Sequence, residues 1–405
     1  MGFSRRDFGR MALTGLALSP FILRSAPAAP LSPERKFLFL FAPGGWDFSY
    51  VFAPLFDNSW VDTDPGSTTA EAHGIPYVDA GSRPAVRQFF ENYGDRACVI
   101  NGMEVRSITH AVCTRLVFTG TTRPEADDFG SILAAHSSQD RILPHVILSG
   151  PSYGYQYASQ AVRMGRDGQL ASLLDARSLD NMNLEAALPE DEAEAVVQAY
   201  IRDRAAAAHA EDQSGWNGRL NRLHDDTLSK LRALEEGSVD LTFDQSGTAA
   251  QITHGVSLLS EGLARCVTLQ HAGFWDIGWD SHSTNSYQDS HFQLYFEAVN
   301  EAMAALDTMT STSGNRLADE VTVVLISEMG RDPRLNAQQG KHHWTHTSAM
   351  LVGSGIQGGQ VIGAYNESVT SSPVDLVSGE VHDSGTYLLP SHLGATLLAL
   401  GDVDP

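Results

Sequence analysis

Cysteine is scarce in this chain of 405 residues, and its scarcity limits the kind of fold. The three cysteines, Cys98, Cys113 and Cys266, are too few and too scattered for a disulfide scaffold or a cysteine-rich zinc site. One disulfide bond is possible and would leave one thiol over. A chain of this length can bury a full hydrophobic core, so it needs no disulfide bonds to fold.

Basic charge is also scarce. Lys and Arg number 27 against 49 Asp and Glu, and the formal net charge is -22. Because nucleic acid and anionic membrane surfaces repel a strongly acidic protein, we expect neither as the main partner. A bound metal ion would therefore be valuable for any anionic substrate.

Long apolar runs are missing beyond the first thirty residues. No later stretch approaches the ~18 consecutive apolar residues of a transmembrane helix, so we expect no stable membrane span once the amino-terminal segment is removed. The composition, with 42% hydrophobic and 19% charged residues, is typical of a soluble globular protein.

The first thirty residues have the order of an export signal. Arg5 and Arg6, with Phe8 two positions later, match the twin-arginine pattern. An apolar stretch over residues 11–23 and a small-residue run over 26–29 follow, as signal peptidase requires. We expect a twin-arginine signal peptide over residues 1–28 and a mature protein in the periplasm or on the cell surface.

Short apolar runs alternate with helical patterns along the rest of the chain. The runs cover residues 36–42, 97–100, 145–148, 266–269 and 321–326, and a helical pattern covers 292–309. This alternation predicts a three-layer α/β/α sandwich with a mostly parallel central sheet. Residues 186–237, rich in Ala, Glu, Arg and Leu, predict an inserted helical hairpin, with helices over 190–209 and 215–236. We expect residues 29–405 to form a single domain.

Acidic and imidazole side chains follow several of the predicted strands. Asp47 comes after the first run, where it is either a ligand or the cap of a helix beginning near Phe48. Asp280 and His282 follow the run over 266–269. Their type and spacing indicate metal ligands, and a surface loop with Asx-turns is the alternative.

The later part of the chain repeats this arrangement. Glu328 and Arg331 follow the run over 321–326, and Arg331 either holds an oxyanion or pairs with Asp332 or Glu328. His343 and His346 belong to a segment with three histidines within five residues. Because parallel strands end at one edge of a sheet, these segments should meet and form a divalent metal site. Zinc is the first expectation, with calcium, magnesium or manganese as alternatives.

These motifs, in their order along the chain, resemble a known family. The order is Gly-Gly-Trp-Asp at 44–47, Thr-Gly at 119–120, Gly-Trp-Asp-Ser-His at 278–282, Ser-Glu-Met-Gly-Arg at 327–331 and a His-rich loop. It is similar to the exported bacterial domain-of-unknown-function family 1501, which itself resembles the alkaline phosphatase and sulfatase superfamily. The resemblance implies that fold, and it implies six metal ligands, Asp47, Asp280, His282, Glu328, His343 and His346.

The nucleophile is where this sequence departs from the sulfatases. Their Cys-x-Pro-Ser-Arg motif precedes a Thr-Gly pair by nine and ten residues, and counting back from Thr119 gives His110. The resemblance therefore leaves His110 as a ligand, a general base or a histidine nucleophile. Arg331 or Arg115 would offset charge in the transition state.

Two functions follow from these patterns. The first is a periplasmic metal-dependent hydrolase of phosphate or sulfate esters, acting on a small anionic ester or a cell-envelope substrate. The alternative is a catalytically degenerate exported protein of the same fold that binds a cell-envelope polysaccharide or partner. In the alternative, tryptophans beside the candidate ligands either stack on sugar rings or form the pocket wall; they are Trp46, Trp275, Trp279 and Trp344.

Overall fold

The structure is a computed structural model that describes residues 34–164, 191–211, 214–236 and 247–404. The predicted signal peptide over residues 1–28 lies outside the described residues, as do the two ends of the predicted insertion, 186–190 and 237. The prediction that residues 29–405 form a single domain stays a prediction.

Strands and helices alternate along the described chain. The strands are β1 Lys36–Ala42, β2 Thr68–Ala72, β3 Ile75–Asp79, β4 Ala97–Glu104, β5 His145–Ile147, β6 Ala161–Arg163, β7 Cys266–Gln270, β8 Val321–Ser327, β9 Gly330–Arg331, β10 His343–Trp344, β11 His346–Gly353 and β12 Gln360–Ile362. The α-helices are α1 Pro84–Tyr93, α2 His110–Thr119, α3 Phe129–Ala135, α4 Asp191–Glu211, α5 Gly215–Glu236, α6 Thr248–Ser260, α7 Tyr287–Thr308 and α8 Pro390–Leu400.

Eight strands form the central sheet, in the order β12-β4-β11-β8-β1-β7-β5-β6. The central strand β1 pairs in parallel with β7 and with β8, and all seven of its residues are buried. Strands covered on both faces read as continuous apolar runs, which is why the sequence predicts them well. The predicted mostly parallel sheet is confirmed.

Strand β11 is the exception in this sheet, because it runs antiparallel to both β4 and β8. Its amino end therefore lies where the parallel strands have their carboxyl ends, and His346 is opposite Glu104. The polar start of β11, which the sequence analysis assigns to the His-rich loop, is buried.

Helices cover both faces of the sheet. Leu38 and Leu40 of β1 pack on the face covered by α1, α6 and α7, whereas Phe37 and Phe41 pack on the face covered by α2, α3 and α8. Successive side chains of a strand point to opposite faces, so one strand contributes to both cores. The predicted three-layer sandwich is confirmed.

The helices α4 and α5 pack on each other and confirm the predicted helical hairpin. Within the described residues, no helix combines the length and apolar character that crossing a membrane requires. The three cysteines, Cys98, Cys113 and Cys266, are all buried free thiols. The disulfide bond that the composition allows is therefore not formed.

Candidate metal centre

Glycines at the end of β1 bring three loops together at the carboxyl edge of the sheet. Gly44 has a φ of +116°, and a Cβ atom there would lie 2.5 Å from the backbone nitrogen of Asp280. Only a glycine allows this approach. The Gly44 amide also donates a 2.7 Å hydrogen bond to Oε1 of Glu328. The loops after β1, β7 and β8 are thereby held in one place.

Asp280 lies at the middle of a cluster of imidazoles. Its Oδ1 is 3.1 Å from Nε2 of His343 and 3.2 Å from Nε2 of His282. Its Oδ2 is 3.3 Å from Nε2 of His110. The side chain of Asp280 is 40% exposed, so the cluster is open to solvent. Partial burial alone would raise the pKa of Asp280, but the His110 ring and the Arg331 guanidinium outweigh it and lower the pKa.

Two of these histidines are held by their second nitrogen. Nδ1 of His343 donates a 2.6 Å hydrogen bond to the Ile108 carbonyl, which can only accept. Nδ1 of His110 lies 2.8 Å from the buried carboxylate of Glu328. Each ring therefore directs Nε2 towards Asp280. In metal sites, histidine ligands are oriented in this way, by a carbonyl or carboxylate bonded to the ring nitrogen that does not bind the metal.

The donor set fits a divalent metal ion. Ligand atoms of His110, Asp280 and His343 all lie within 4.8 Å of one another. Nε2 of His110 is buried, and Oδ2 of Asp280 at 3.3 Å faces it without forming a well-aligned hydrogen bond. Nε2 of His282 lies 2.9 Å from Nε2 of His343, an approach that requires a shared proton or a shared cation. Imidazole nitrogens with one carboxylate suit zinc well.

The electrostatics of the cluster also favour positive charge. The neighbouring carboxylates, Asp280 first and Glu328 second, raise the pKa of His110 to about 9. The two carboxylates favour metal binding for the same reason that they favour protonation of His110, because each event adds positive charge beside them.

Asp47 is not brought into the cluster. It is buried, and its Oδ2 lies 2.8 Å from Nζ of the equally buried Lys341. The Asn285 amide donates to the same oxygen, and the Ser49 amide and hydroxyl donate to Oδ1. Asp47 thus caps the short helix Phe48–Tyr50, the role that the sequence left as the alternative to a ligand.

Arg331 lies against the cluster but is already fully engaged. The completely buried guanidinium donates to the carbonyl oxygens of Gly44, Gly45 and Lys341, and Nη2 lies 2.6 Å from Oδ1 of Asp280. Its acidic partner is therefore Asp280, and not the sequence neighbours Asp332 or Glu328. Arg331 positions Asp280 and does not present a free guanidinium to a substrate.

Two further predicted site residues lie elsewhere. Arg115 is in α2, where its guanidinium stacks over the Tyr153 ring at 4.5 Å and bonds the Arg123 carbonyl at 3.4 Å. His346 starts β11, and its Nδ1 lies 3.0 Å from the Thr345 hydroxyl. Burial lowers the pKa of His346 and keeps it neutral. Neither residue has its ligand or donor atoms in the cluster around Asp280.

The structure also identifies residues that the sequence analysis did not single out. Lys341 and the Ile108 carbonyl have the roles given above, and Nδ1 of His342 lies 3.3 Å from Nδ1 of His282. The signal for Lys341 was its place in the His-rich segment. The sugar-stacking interpretation is wrong for Trp46 and Trp279, which are fully buried; Trp275 is 75% exposed.

Comparison with protein families identifies this chain as a member of DUF1501, described as a protein of unknown function. The family model matches residues 35–383. A search of curated proteins finds no match.

The fold is similar to several solved structures. One is Ps i-CgsB in complex with k-i-k-neocarrahexaose, at 10% identity and a TM-score of 0.41, covering 92% of this chain and 73% of that one. Another is an alkaline phosphatase superfamily protein from Vibrio parahaemolyticus, at 11% identity and 0.40, covering 100% and 76%. A third is the PsFucS1 sulfatase from Pseudoalteromonas sp., at 10% identity and 0.39, covering 91% and 68%.

Proposed function

We propose that this chain is an exported, metal-dependent hydrolase of phosphate or sulfate esters. The observation that carries the proposal is the convergence of His110, His282 and His343 on the carboxylate of Asp280. Export rests on the twin-arginine pattern. An Arg5→Lys, Arg6→Lys double variant should leave the precursor in the cytoplasm, whereas efficient export of that variant would contradict the twin-arginine route.

Some residues of the cluster would bind the metal ion, and others would orient those ligands. His110, Asp280 and His343 would bind it, with His282 alongside. Glu328 fixes the Nδ1 proton of His110, and Arg331 fixes the Asp280 carboxylate. A bound divalent ion polarises an ester oxygen and lowers the pKa of a bound water.

The engagement of His110 bears on its role. Nδ1 is held by Glu328, and Nε2 lies in the cluster with His343 and Asp280. Of the three roles left open, this supports a ligand over a general base or a nucleophile. Cys113, one turn further along α2, is fully buried. Water is therefore the nucleophile that the proposal requires.

Charge accounting explains why an anionic ester would need the metal. Asp280 is balanced by Arg331, and Asp47 is balanced by Lys341. Without metal, the raised pKa of His110 lets its imidazolium balance Glu328. Metal binding requires neutral imidazoles, and Glu328 then leaves the site at -1 before the charge of the ion is added. A divalent ion changes this to +1, which attracts a phosphate or sulfate ester in an otherwise acidic protein.

Metal content tests the proposal directly. Elemental mass spectrometry of the purified protein should find about one equivalent of metal, which an Asp280→Asn, His343→Gln double variant loses. His346→Gln is the matched control and should keep the metal. Aryl phosphate and aryl sulfate hydrolysis should stop with chelator and return with zinc. Full metal content in the double variant would contradict the site, and bound metal without turnover would favour a binding protein.

A further inference from the structure

A second cavity lies at the helical hairpin, away from the metal centre. It has a volume of 560 Å³ and shares no lining residue with the cluster around Asp280. Tyr155, Gln156, Tyr157 and Gln160 form one wall, and Arg219 and Arg222 of α5 form the other. The volume is within the usual range for small-molecule sites.

Arg219 presents a guanidinium with unused hydrogen-bonding capacity. Its Cζ lies 3.8 Å from the centre of the Tyr155 ring and 5.4 Å from that of Trp216, so aromatic rings hold it in place. Its Nε is buried, and no group in the described part of the chain accepts a hydrogen bond from it. A buried unpaired donor is costly, and a bound anion would relieve that cost.

The opposite wall is rigid. The buried carboxylate of Asp127 accepts three backbone hydrogen bonds, from Tyr155 at 2.5 Å, Gln156 at 2.8 Å and Tyr157 at 2.8 Å. These bonds fix the segment before any ligand arrives. A wall fixed in this way lowers the entropic cost of binding.

Charge and lining chemistry together indicate the ligand. Among the described residues that line the cavity, two arginines and Asp226 sum to a formal charge of +1, in a chain whose net charge is -22. Phenol, amide and hydroxyl groups make up most of the remaining lining, with Leu223 as the aliphatic residue. Guanidinium groups recognise carboxylate or sulfate, and amides and phenols suit a ligand with many hydroxyls.

We propose that this cavity binds an acidic saccharide, one ring of which carries a carboxylate or a sulfate. The anionic group pairs with Arg219, Arg222 adds positive charge to the same wall, and the sugar hydroxyls bond the phenols and amides of the 155–160 wall. Binding requires no metal ion, so the proposal is independent of the proposed hydrolase activity.

Calorimetric titration of the full mature protein tests the cavity. The probes are an oligogalacturonate, a sulfated galacto-oligosaccharide, a neutral galacto-oligosaccharide of the same length, and sodium sulfate. At least one acidic oligosaccharide should bind with a stoichiometry of one, equally well with and without chelator. The neutral oligosaccharide and sodium sulfate alone should bind at least about tenfold more weakly, because each lacks one half of the recognised chemistry. The stronger acidic probe identifies the anionic group.

Matched variants assign the binding to the cavity. Arg219→Gln should weaken acidic saccharide binding by about tenfold, the effect of losing a charge-assisted hydrogen bond, and Arg222→Gln should weaken it by a smaller factor through lost positive charge. Arg334→Gln is the control, because Arg334 also stacks over an exposed tryptophan, Trp60, at 5.1 Å but does not line the cavity. Thermal unfolding would confirm that each variant is folded. Equal binding of neutral and acidic saccharides, unchanged binding in both cavity variants, or no binding of any acidic probe would overturn the proposal.

Discussion

Asp47 and Asp280 follow neighbouring central strands, β1 and β7, and the protein treats the two carboxylates in opposite ways. Asp47 is 1% exposed and lies against Lys341, whose ammonium is equally buried. Asp280 is 40% exposed at its side chain and is surrounded by imidazole nitrogens. Lys341 occupies the place where a metal ion could bind Asp47, which we call the closed position. The histidines around Asp280 can act as metal ligands, and we call this the open position.

The difference shows that a carboxylate at the edge of a sheet is not a metal ligand by position alone. Lys341 already lies against Asp47 as a buried basic partner, so the site of a metal ion beside Asp47 is taken. Asp280 is also balanced by a buried cation, Arg331, but its two oxygens additionally face imidazole nitrogens, whose lone pairs can bind a metal ion. The residue that opposes the carboxylate decides between structure and binding.

Breaking the closed position should have the largest effect. Lys341→Met leaves the Asp47 carboxylate buried without its cation, and we expect the free energy of unfolding to fall by about 3–5 kcal/mol. Urea denaturation measures this change. The Asp47→Asn, Lys341→Met double variant removes both charges and should recover most of the loss. If the single variant unfolds at the same urea concentration as the wild type, the ion pair does not stabilise this edge.

Weakening the hydrogen bond that orients His110 at the open position should have the second-largest effect. Glu328→Gln keeps the shape of the side chain but removes the charge that faces Nδ1 of His110. We expect metal affinity to fall about 10–100-fold, the usual effect of removing a carboxylate that orients a histidine ligand. Competition with a chromogenic chelator measures it. Glu104→Gln is the control, because Glu104 ends the nearby strand β4 and bonds Arg106 instead. Equal affinity in both variants would remove Glu328 from the site.

Much of the sheet is predictable, and the reason is burial. Strands β1, β4, β5, β7 and β8 carry continuous apolar runs because helices cover both their faces. Strand β11 escapes prediction because it begins with His346, Thr347 and Ser348, which are buried only through specific bonds. The Trp46 indole donates to the Thr347 hydroxyl, and the Ser348 hydroxyl donates to Asn101.

The site is predictable only in part. Asp280 and His282 follow β7 and so lie at the carboxyl edge of the central sheet, as predicted. His343 lies in β10, just ahead of the antiparallel strand β11, whose amino end is at the same edge, and the structure brings the three residues together. Which carboxylate receives a lysine depends on where the His-rich segment approaches the first loop. That approach is a tertiary contact between distant parts of the chain, and no local pattern encodes it.

Variants of His282 and His342, which both lie beside the open position, should show which of the two histidines binds the metal ion. His282 approaches both Asp280 and His343 through Nε2, whereas His342 contacts the far nitrogen of His282. We expect His282→Gln to lower metal affinity about tenfold. His342→Gln should stay within about threefold of the wild type, the range of an ordinary surface substitution. The same chelator competition measures both. A larger loss of metal affinity in His342→Gln than in His282→Gln would show that His342, and not His282, is the ligand.

A second buried lysine–carboxylate pair, at the opposite edge of the same strands, extends the comparison and should show the smallest effect. Nζ of Lys36, at the start of β1, lies 2.9 Å from Oε2 of Glu320. Burial raises the pKa of Glu320, but hydrogen bonds from Ser313, Lys36 and Ser311 outweigh it and lower the pKa below its ordinary value.

A lowered pKa in the folded state means that the unfolded chain takes up the proton first. The contribution of Glu320 to stability is therefore complete above pH ~4.3, the ordinary value for Glu, and is lost as the pH falls through the folded pKa. Lys36 also donates to the Leu259 carbonyl, and an amide in place of the Glu320 carboxylate can still accept its hydrogen bond. Glu320→Gln should therefore lower the free energy of unfolding by only about 1 kcal/mol at neutral pH, with the difference shrinking on acidification. Urea denaturation at several pH values measures it, with Glu71→Gln on the exposed strand β2 as the control. A constant difference across this pH range would show that the carboxylate charge is not what stabilises the pair.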